Sequence, residues 1–347
     1  MDGAEHNAFM DPVTHGIFGA LWALPAARRE RMRAAALAGV AGGMFPDLDV
    51  LIRSSEDSLL YIEYHRQFTH SFAFAPVGSL LAALAVWPFL RRRALFAQVY
   101  MWALLGYLAH PLLDACTSYG TQLLWPFSDA RVAWNWISVV DPLYSLPLLA
   151  AAVWAVVRRS HRAVALGLAW MVIYMAFGAW QNHRVEAALT DWVDAEGIAI
   201  ERLVAKPAFA NLVVWRGLVD DGENFYLNAV RTLPWTDTRF YSGGSVARFR
   251  VDGLEQATRR GRDLARFDHF SAGWLMRYPD QDEGGRIFVG DFRYALDPAS
   301  QRPLWGVLVD PDDPETAAEY TTPRRMTEDD RRRFFQRLRG EAPERID

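Results

Sequence analysis

Residues 91–116 read RRRALFAQVYMWALLGYLAHPLLDAC, and this stretch decides how the chain is to be read. Three arginines stand at one end, His110 and Asp114 at the other, and the residues between are almost wholly apolar. A bilayer core about 30 Å thick needs about 20 helical residues, so the stretch reads as a membrane span. Arginine flanks mark the cytoplasmic side of a span. By that rule His110 and Asp114 lie at the extracytoplasmic end, and their i,i+4 spacing puts both on one helix face.

Working outward, six apolar stretches can be marked: Thr14–Ala27, Ala34–Ile52, Thr69–Leu90, Ala94–Cys116, Trp136–Val157 and Ala163–Gln181. Ala34–Ile52 reaches span length only with two aspartates at its end. Thr14–Ala27, about 21 Å by helical rise, is short. Arg28, Arg29, Arg31 and Arg33 follow the first stretch, Arg91, Arg92 and Arg93 the third, and Arg158, Arg159 and Arg162 the fifth. The alternate connections carry only Arg53, Arg66 and Arg131. This bias predicts a multi-pass membrane protein whose N- and C-termini are both extracytoplasmic. The acidic leader Met1–Pro12 lacks a basic n-region, so no cleavable signal peptide is expected. Segments of this length bounded by arginine speak against the buried helices of a large soluble protein.

The whole-chain averages hide this. Over 347 residues the formal charge is −4 and 51% of residues are hydrophobic, as in an ordinary soluble protein. Split after Arg184, the first 184 residues hold 14 Arg and 12 Asp/Glu, and the remaining 163 hold 23 basic and 29 acidic groups. The expected organisation is an α-helical membrane domain over 1–184, of about six spans with the first one short. A small β-rich extracytoplasmic domain over 185–347 follows it. One cysteine precludes an intramolecular disulfide. The weak negative charge gives no reason to expect nucleic acid.

Ionisable groups in or beside a span are costly and mark functional sites. Here they are Asp11 and His15 in DPVTH, Asp47 and Asp49 in FPDLD, and His65 and His70 in HRQFTHS. His110 and Asp114 in HPLLD, Asp141 in VVDPLY and His183 complete the set. Under the arginine topology every one placed at a span end falls at the extracytoplasmic end. Pro46 suggests a broken helix that lets Asp47 and Asp49 converge, and His65 falls in a loop before His70. Imidazole plus carboxylate is the ligand set of Zn²⁺ and of Mn or Fe hydrolytic centres. With more ligands than one tetrahedral ion needs, a dinuclear centre is open.

The bland readings are an N-cap for Asp141 and interfacial polarity for Asp11 and His183. His6, His161 and His269 read as surface histidines. Thr69 and Ser71 flank His70 without a G-x-S-x-G elbow, and Cys116 reads as a packed span-end residue. Thr117–Ser128 reads as an interfacial aromatic belt or a loop over the cluster. Arg66 suits an anion or transition-state clamp, or equally a headgroup contact.

Taken in order, MDPVTHG from Met10, FPDLD, HRQFTHS, the HPLLD and TSYGTQLLWPFS run, and VVDPLY resemble the YdjM-like family of bacterial inner-membrane proteins. The resemblance covers roughly residues 10–185. It implies a multi-span membrane domain and metal-dependent hydrolysis, with His15, Asp47, Asp49, His65, His70, His110 and Asp114 at the motif positions.

Beyond Glu186 short apolar runs alternate with Asp-Gly and Gly-Gly turns, which predicts strands at Asn211–Val219, Phe225–Val230, Val246–Val251, Arg286–Tyr294 and Pro303–Val309. Thr327–Gly340 reads as a charged amphipathic helix or tail. Two functions follow. The first is a membrane-embedded metal-dependent hydrolase acting on an amphiphilic, lipid-like or phosphoester substrate, with Asp47 or Asp49 as general base and Arg66 as clamp. The second is a non-catalytic membrane protein with a structural or transported metal and a partner-binding β domain. The apolar cytoplasmic halves of the spans favour a one-sided site over a carrier's path.

Overall fold

The structure, a computed structural model, describes residues 12–251, 257–323 and 327–341. It divides into two units. The first holds Met1–Leu51, Tyr64–Trp180 and Phe209–Asn211; the second holds Ile52–Glu63, Gln181–Ala208 and Leu212–Asp347.

The first unit is helical. Its helices are α1 (Pro12–Ala23), α2 (Met32–Met44), α4 (Ala75–Leu90), α5 (Phe96–Cys116), α6 (Pro142–Arg158) and the beginning of α7 (His161–Glu196); α3 (Leu60–Tyr64) straddles its edge. Proline sets several boundaries. Pro46 lacks the N–H that would continue α2, and the chain tightens into a 3-10 turn over Pro46–Leu51. Pro76 and Pro142 stand in the first turns of α4 and α6, where a missing N–H costs nothing.

The helices do not confirm six spans. Among the described residues α7, 36 residues long, is the one helix apolar and long enough by itself to cross a membrane. Leu60–His70 and Ala75–Leu90 qualify only as a pair bent by 89°, and α6 is apolar but short at 17 residues. The stretch Ala34–Ile52 is helical only to Met44, Thr69–Leu90 only from Ala75, and Trp136–Val157 only from Pro142. Apolar composition continues through these breaks although the α-helix does not. Glycine lets the short helices close up. A Cβ on Gly42 would overlap the carbonyl of Ala103 in α5, and one on Gly43 would lie 2.5 Å from the carbonyl oxygen of His15 in α1.

The second unit carries two four-stranded antiparallel sheets. One has the order β1 (Arg202–Pro207), β2 (Val214–Asp220), β3 (Asn224–Arg231), β4 (Arg239–Ala247); the other has β5 (Leu275–Arg277), β6 (Ile287–Asp291), β7 (Gly306–Val309), β8 (Glu319–Thr321). Leu218, Phe225, Leu227, Trp274, Met276 and Phe292 form a buried apolar core. Helices α8 (Arg259–Ser271) and α9 (Glu328–Arg339) complete it. The expected strands overlap β2, β3, β6 and β7, but Val246–Val251 enters a strand only at Val246–Ala247, the end of β4, which pairs with β3 from Arg239 to Ala247.

Candidate metal centre

Five backbone segments of the first unit bring their polar side chains together. His15 comes from α1, Asp47 and Asp49 from the 3-10 turn after α2, His65 and Arg66 from the loop after α3, His70 from a 3-10 turn at Phe68–His70, and His110 with Asp114 from α5. All but Asp47 are at least nine-tenths buried; the Asp47 side chain keeps 17% exposure.

Proline at 46 does bring both aspartates to the cluster, but onto opposite edges of one imidazole. Asp49 Oδ2 lies 3.2 Å from His70 Nδ1, and Asp47 Oδ1 lies 3.7 Å from His70 Nε2. Asp49 also meets His65 Nδ1 at 2.8 Å through Oδ1, and its Oδ2 accepts from Thr69 Oγ1 and the Arg66 N–H, each at 3.0 Å. It is thus the hydrogen-bonded carboxylate that orients two histidines. His65 stands behind Asp49 rather than among the inward-facing atoms.

The histidine tautomers follow from their partners. His110 Nδ1 is 2.6 Å from the Gly43 carbonyl, which can only accept, so this nitrogen carries the proton and Nε2 presents a lone pair. His70 Nδ1 faces the Asp49 carboxylate, which leaves its Nε2 as a lone pair as well. These two Nε2 atoms are 2.9 Å apart. Asp114 Oδ2 is 3.2 Å from one and 3.3 Å from the other, and Asp47 Oδ1 is 3.7 and 3.5 Å away. Asp47 Oδ1 and both Asp114 oxygens are buried without a well-aligned hydrogen-bond donor. With both imidazoles neutral, four acceptors crowd one point, an arrangement that a cation relieves.

The spacing fits a metal. Ligands about 2.0–2.1 Å from a tetrahedral ion lie about 3.3 Å from one another, as the His70, His110 and Asp114 atoms do. Two candidate ligand groups can be drawn, His15–His110–Asp114 and Asp47–His70–His110. Both draw on His110, whose single available lone pair serves one ion.

His15 bridges the two carboxylates, with Nδ1 3.2 Å from Asp47 Oδ2 and Nε2 3.2 Å from Asp114 Oδ1. Its ring packs edge-on against His110 at 3.9 Å. Arg66 is fully buried in a left-handed backbone conformation, φ 61°. Its guanidinium lies 2.9 Å from Asp114 Oδ1, donates to Thr117 Oγ1 at 3.0 Å, and rests over the Tyr119 ring. It faces Asp114 and has no exposed surface.

The remaining candidates lie elsewhere. Asp141 caps α6, accepting from the N–H groups of Leu143 and Tyr144 and from the Tyr174 hydroxyl at 2.7 Å. His183 is exposed on α7 and belongs to the second unit. Asp11 lies outside the described residues. Sequence reasoning missed the supporting groups: Thr69 on Asp49, the Gly43 carbonyl on His110, Thr117 and Tyr119 on Arg66, and Tyr107, whose hydroxyl donates to the Thr69 carbonyl. Thr69, next to His70, carried a local signal, as did Thr117 and Tyr119 through the Thr117–Ser128 stretch, read as a belt or a loop over the cluster.

Comparison with known proteins gives a consistent picture. The sequence model of the family described as "YdjM inner membrane protein" matches residues 10–185. The chain is 27% identical over 198 residues to "Uncharacterized protein YfhP" of Bacillus subtilis (strain 168), covering 55% of this chain and 57% of that protein. It is 36% identical over 104 residues to "Inner membrane protein YbcI" of Escherichia coli (strain K12), covering 28% of this chain and 57% of that protein. The chain therefore spans little more than half the length of these curated relatives. No solved structure matches.

Proposed function

The chain belongs to the YdjM inner membrane protein family, and from that premise we propose a membrane-embedded, metal-dependent hydrolase with its site at the extracytoplasmic face. The observation that carries the reading is the meeting of His70 Nε2 and His110 Nε2 with carboxylate oxygens of Asp47 and Asp114 that have no well-aligned donor. His70, His110, Asp47 and Asp114 would hold one divalent ion, with Zn²⁺ the first choice for this donor set and Mn or Fe the others. When bound, such an ion supplies Lewis acidity that activates water and polarises the bond to be cut.

The chain's own residues do the rest. His15 has a carboxylate at each ring nitrogen, which favours its protonated form and places it as a proton donor. Asp47, the partly exposed carboxylate of the cluster, would serve as general base where His70, His110 and Asp114 alone hold the ion. Asp49 fixes the ring of His70, and Arg66 fixes Asp114, so both act by positioning. A small cavity bordered by His15, Thr14, Thr117, Ser138 and Ser145 offers water a way to the cluster. Membership in a family of inner membrane proteins, with the exposed apolar faces of α6 and α7, favours an amphiphilic ester or phosphoester substrate. The arginine asymmetry supports a multi-pass arrangement with both termini extracytoplasmic.

One observation favours a second reading. His70, His110 and Asp114 are completely buried, and closed sites are those of structural metals. Metal content of the detergent-purified protein, measured beside His110→Ala and Asp47→Ala, tests the ligand set. Full occupancy in both variants would remove it. A phosphoester and lipid screen with Zn²⁺ or Mn²⁺ then separates the two readings, because only the hydrolase shows turnover that those variants lose.

A further inference from the structure

The chain between Asp49 and His65 leaves the unit that holds the metal centre. Ile52–Glu63 belongs to the second unit, although it begins three residues after Asp49 and ends two before His65. Among the described residues it is the part of the chain before Gln181 that does so. Its neck is closed by the site itself, through Asp49 Oδ1 to His65 Nδ1 at 2.8 Å and the Arg66 N–H to Asp49 Oδ2 at 3.0 Å.

The tip is gripped by α8 and β8. Arg266 of α8 makes a two-pronged pair with Asp57, Nη1 to Oδ1 at 3.1 Å and Nη2 to Oδ2 at 2.9 Å. The same guanidinium donates to Glu63 Oε2 through Nη2 at 2.6 Å and Nε at 3.0 Å. Asp263, one helical turn before, steadies it at 3.2 Å. Ser58 donates to the Ala318 carbonyl and accepts from the Tyr320 N–H, each at 2.9 Å, which joins the tip to the β8 backbone. Leu59 and Ile62 are buried at 1% and 2% exposure. A planar guanidinium holding two carboxylates of one loop restrains it far more than a single surface ion pair does.

We propose that the second unit serves as a clamp on the metal centre, with Arg266 as its positioning residue. The coupling runs through the covalent chain. Fixing Asp57 and Glu63 fixes the loop, and the loop's two ends carry Asp49 and His65–Arg66, which orient His70 and Asp114. The inference rests on the metal reading above, and hydrogen exchange makes it testable independently. Asp57 carries a mark of the clamp: burial works against its charge, but the Arg266 hydrogen bond and charge hold the carboxyl below its ordinary value.

The test uses the full chain in detergent, as wild type, Arg266→Ala, Arg266→Lys and the milder Ser58→Ala. Co²⁺ is the probe, through its visible spectrum and its affinity in competition with a chelator. Arg266→Ala is expected to weaken Co²⁺ about tenfold and alter the spectrum, as loss of outer-shell support does. Arg266→Lys should recover only part of this, since lysine lacks the fork. In the metal-free protein, amide exchange at residues 47–51 and 64–70 should quicken in Arg266→Ala and, less so, in Ser58→Ala. Faster exchange confined to 52–63 and α8 would overturn the clamp, as would unchanged Co²⁺ affinity and spectrum. Absence of Co²⁺ binding by the wild type would instead defeat the metal reading, and the exchange pattern would then decide the clamp alone.

Discussion

Both units bury carboxylates, and they treat them in opposite ways. In the second unit Asp291 is saturated with donors: Arg293 reaches Oδ1 through Nε at 2.9 Å and Oδ2 through Nη2 at 2.7 Å, and Trp305 Nε1 adds 3.0 Å. Asp220 likewise receives Arg202 Nη2 at 2.6 Å and the Gly222 N–H at 2.9 Å. In the first unit Asp47 Oδ1 and both Asp114 oxygens lack a well-aligned donor, and the nearest nitrogens include two lone-pair faces. A buried charge must be compensated. The second unit compensates its own, whereas the first holds acceptors in excess and so calls for a cation from outside.

The largest expected effect breaks this contrast from each side. His110→Ala removes the nitrogen common to both ligand groups and should abolish stoichiometric metal, measured on the purified protein. Asp291→Ala should leave metal content untouched but cost about 3–5 kcal/mol in denaturant unfolding, because the buried Arg293 loses the carboxylate it pairs with. Metal loss from Asp291→Ala would erase the distinction between the two kinds of carboxylate.

Asp49→Asn probes the intermediate case, a first-unit carboxylate that is fully hydrogen-bonded. An amide keeps the shape but cannot accept equally from His65, His70, Thr69 and the Arg66 N–H. Metal affinity should drop by about 10–100-fold. A loss as complete as that of His110→Ala would instead mark Asp49 as a direct ligand.

The same contrast explains what was legible in the sequence. His and Asp at the ends of apolar runs are visible as residue types, so every member of the cluster could be named in advance. Their roles could not, because which edge of His70 Asp47 and Asp49 each meet depends on the 3-10 turn after Pro46. Helix ends were not legible for a related reason: apolar composition runs on through Pro46, Phe72–Phe74 and Ser138–Asp141, where the α-helix does not. Strands β5 and β8, three residues each, are too short to show alternation, and α8 was missed because its arginine-rich surface hides the buried Leu264, Phe267 and Phe270. The loop Ile52–Glu63 carries no sequence mark of belonging to the second unit, since its partners Arg266 and Ala318 lie more than 200 residues away.

A smaller effect tests whether the second unit compensates every buried charge. Lys206, the chain's only lysine, is buried opposite Arg216 in the β1–β2 pair, with Nζ 4.7 Å from the Tyr294 ring centre. Burial, then repulsion from Arg293, pushes its amine well below its ordinary value. The folded chain therefore sheds this proton at lower pH than the unfolded chain does. Its contribution to stability rises with pH between the folded value and about 10.4, by at most about 1.4 kcal/mol per pH unit. Lys206→Met should remove that rise, seen as a flatter pH profile of the denaturation midpoint. Parallel profiles for the two proteins would show the amine to be fully compensated.

The smallest expected effect comes from α9, where sequence and structure agree almost residue for residue. Thr327 Oγ1 accepts from the Asp330 N–H and the Thr327 N–H donates back to Asp330 Oδ2, both at 3.0 Å. At the other end Gly340 takes φ 84°, a left-handed conformation open to glycine. Both signals are local, which is why this helix could be read within one turn at each end. Thr327→Ala should cost about 1 kcal/mol and Thr327→Ser almost nothing. Asp330→Ala should cost more, since its carboxylate also receives Arg302 at 2.7 Å and Arg333 at 3.0 Å. Because α9 belongs to the self-compensated unit, each cost should be equal with and without added Zn²⁺. A Thr327→Ala penalty that changed with metal would extend the clamp on the centre beyond Arg266 to the end of the chain.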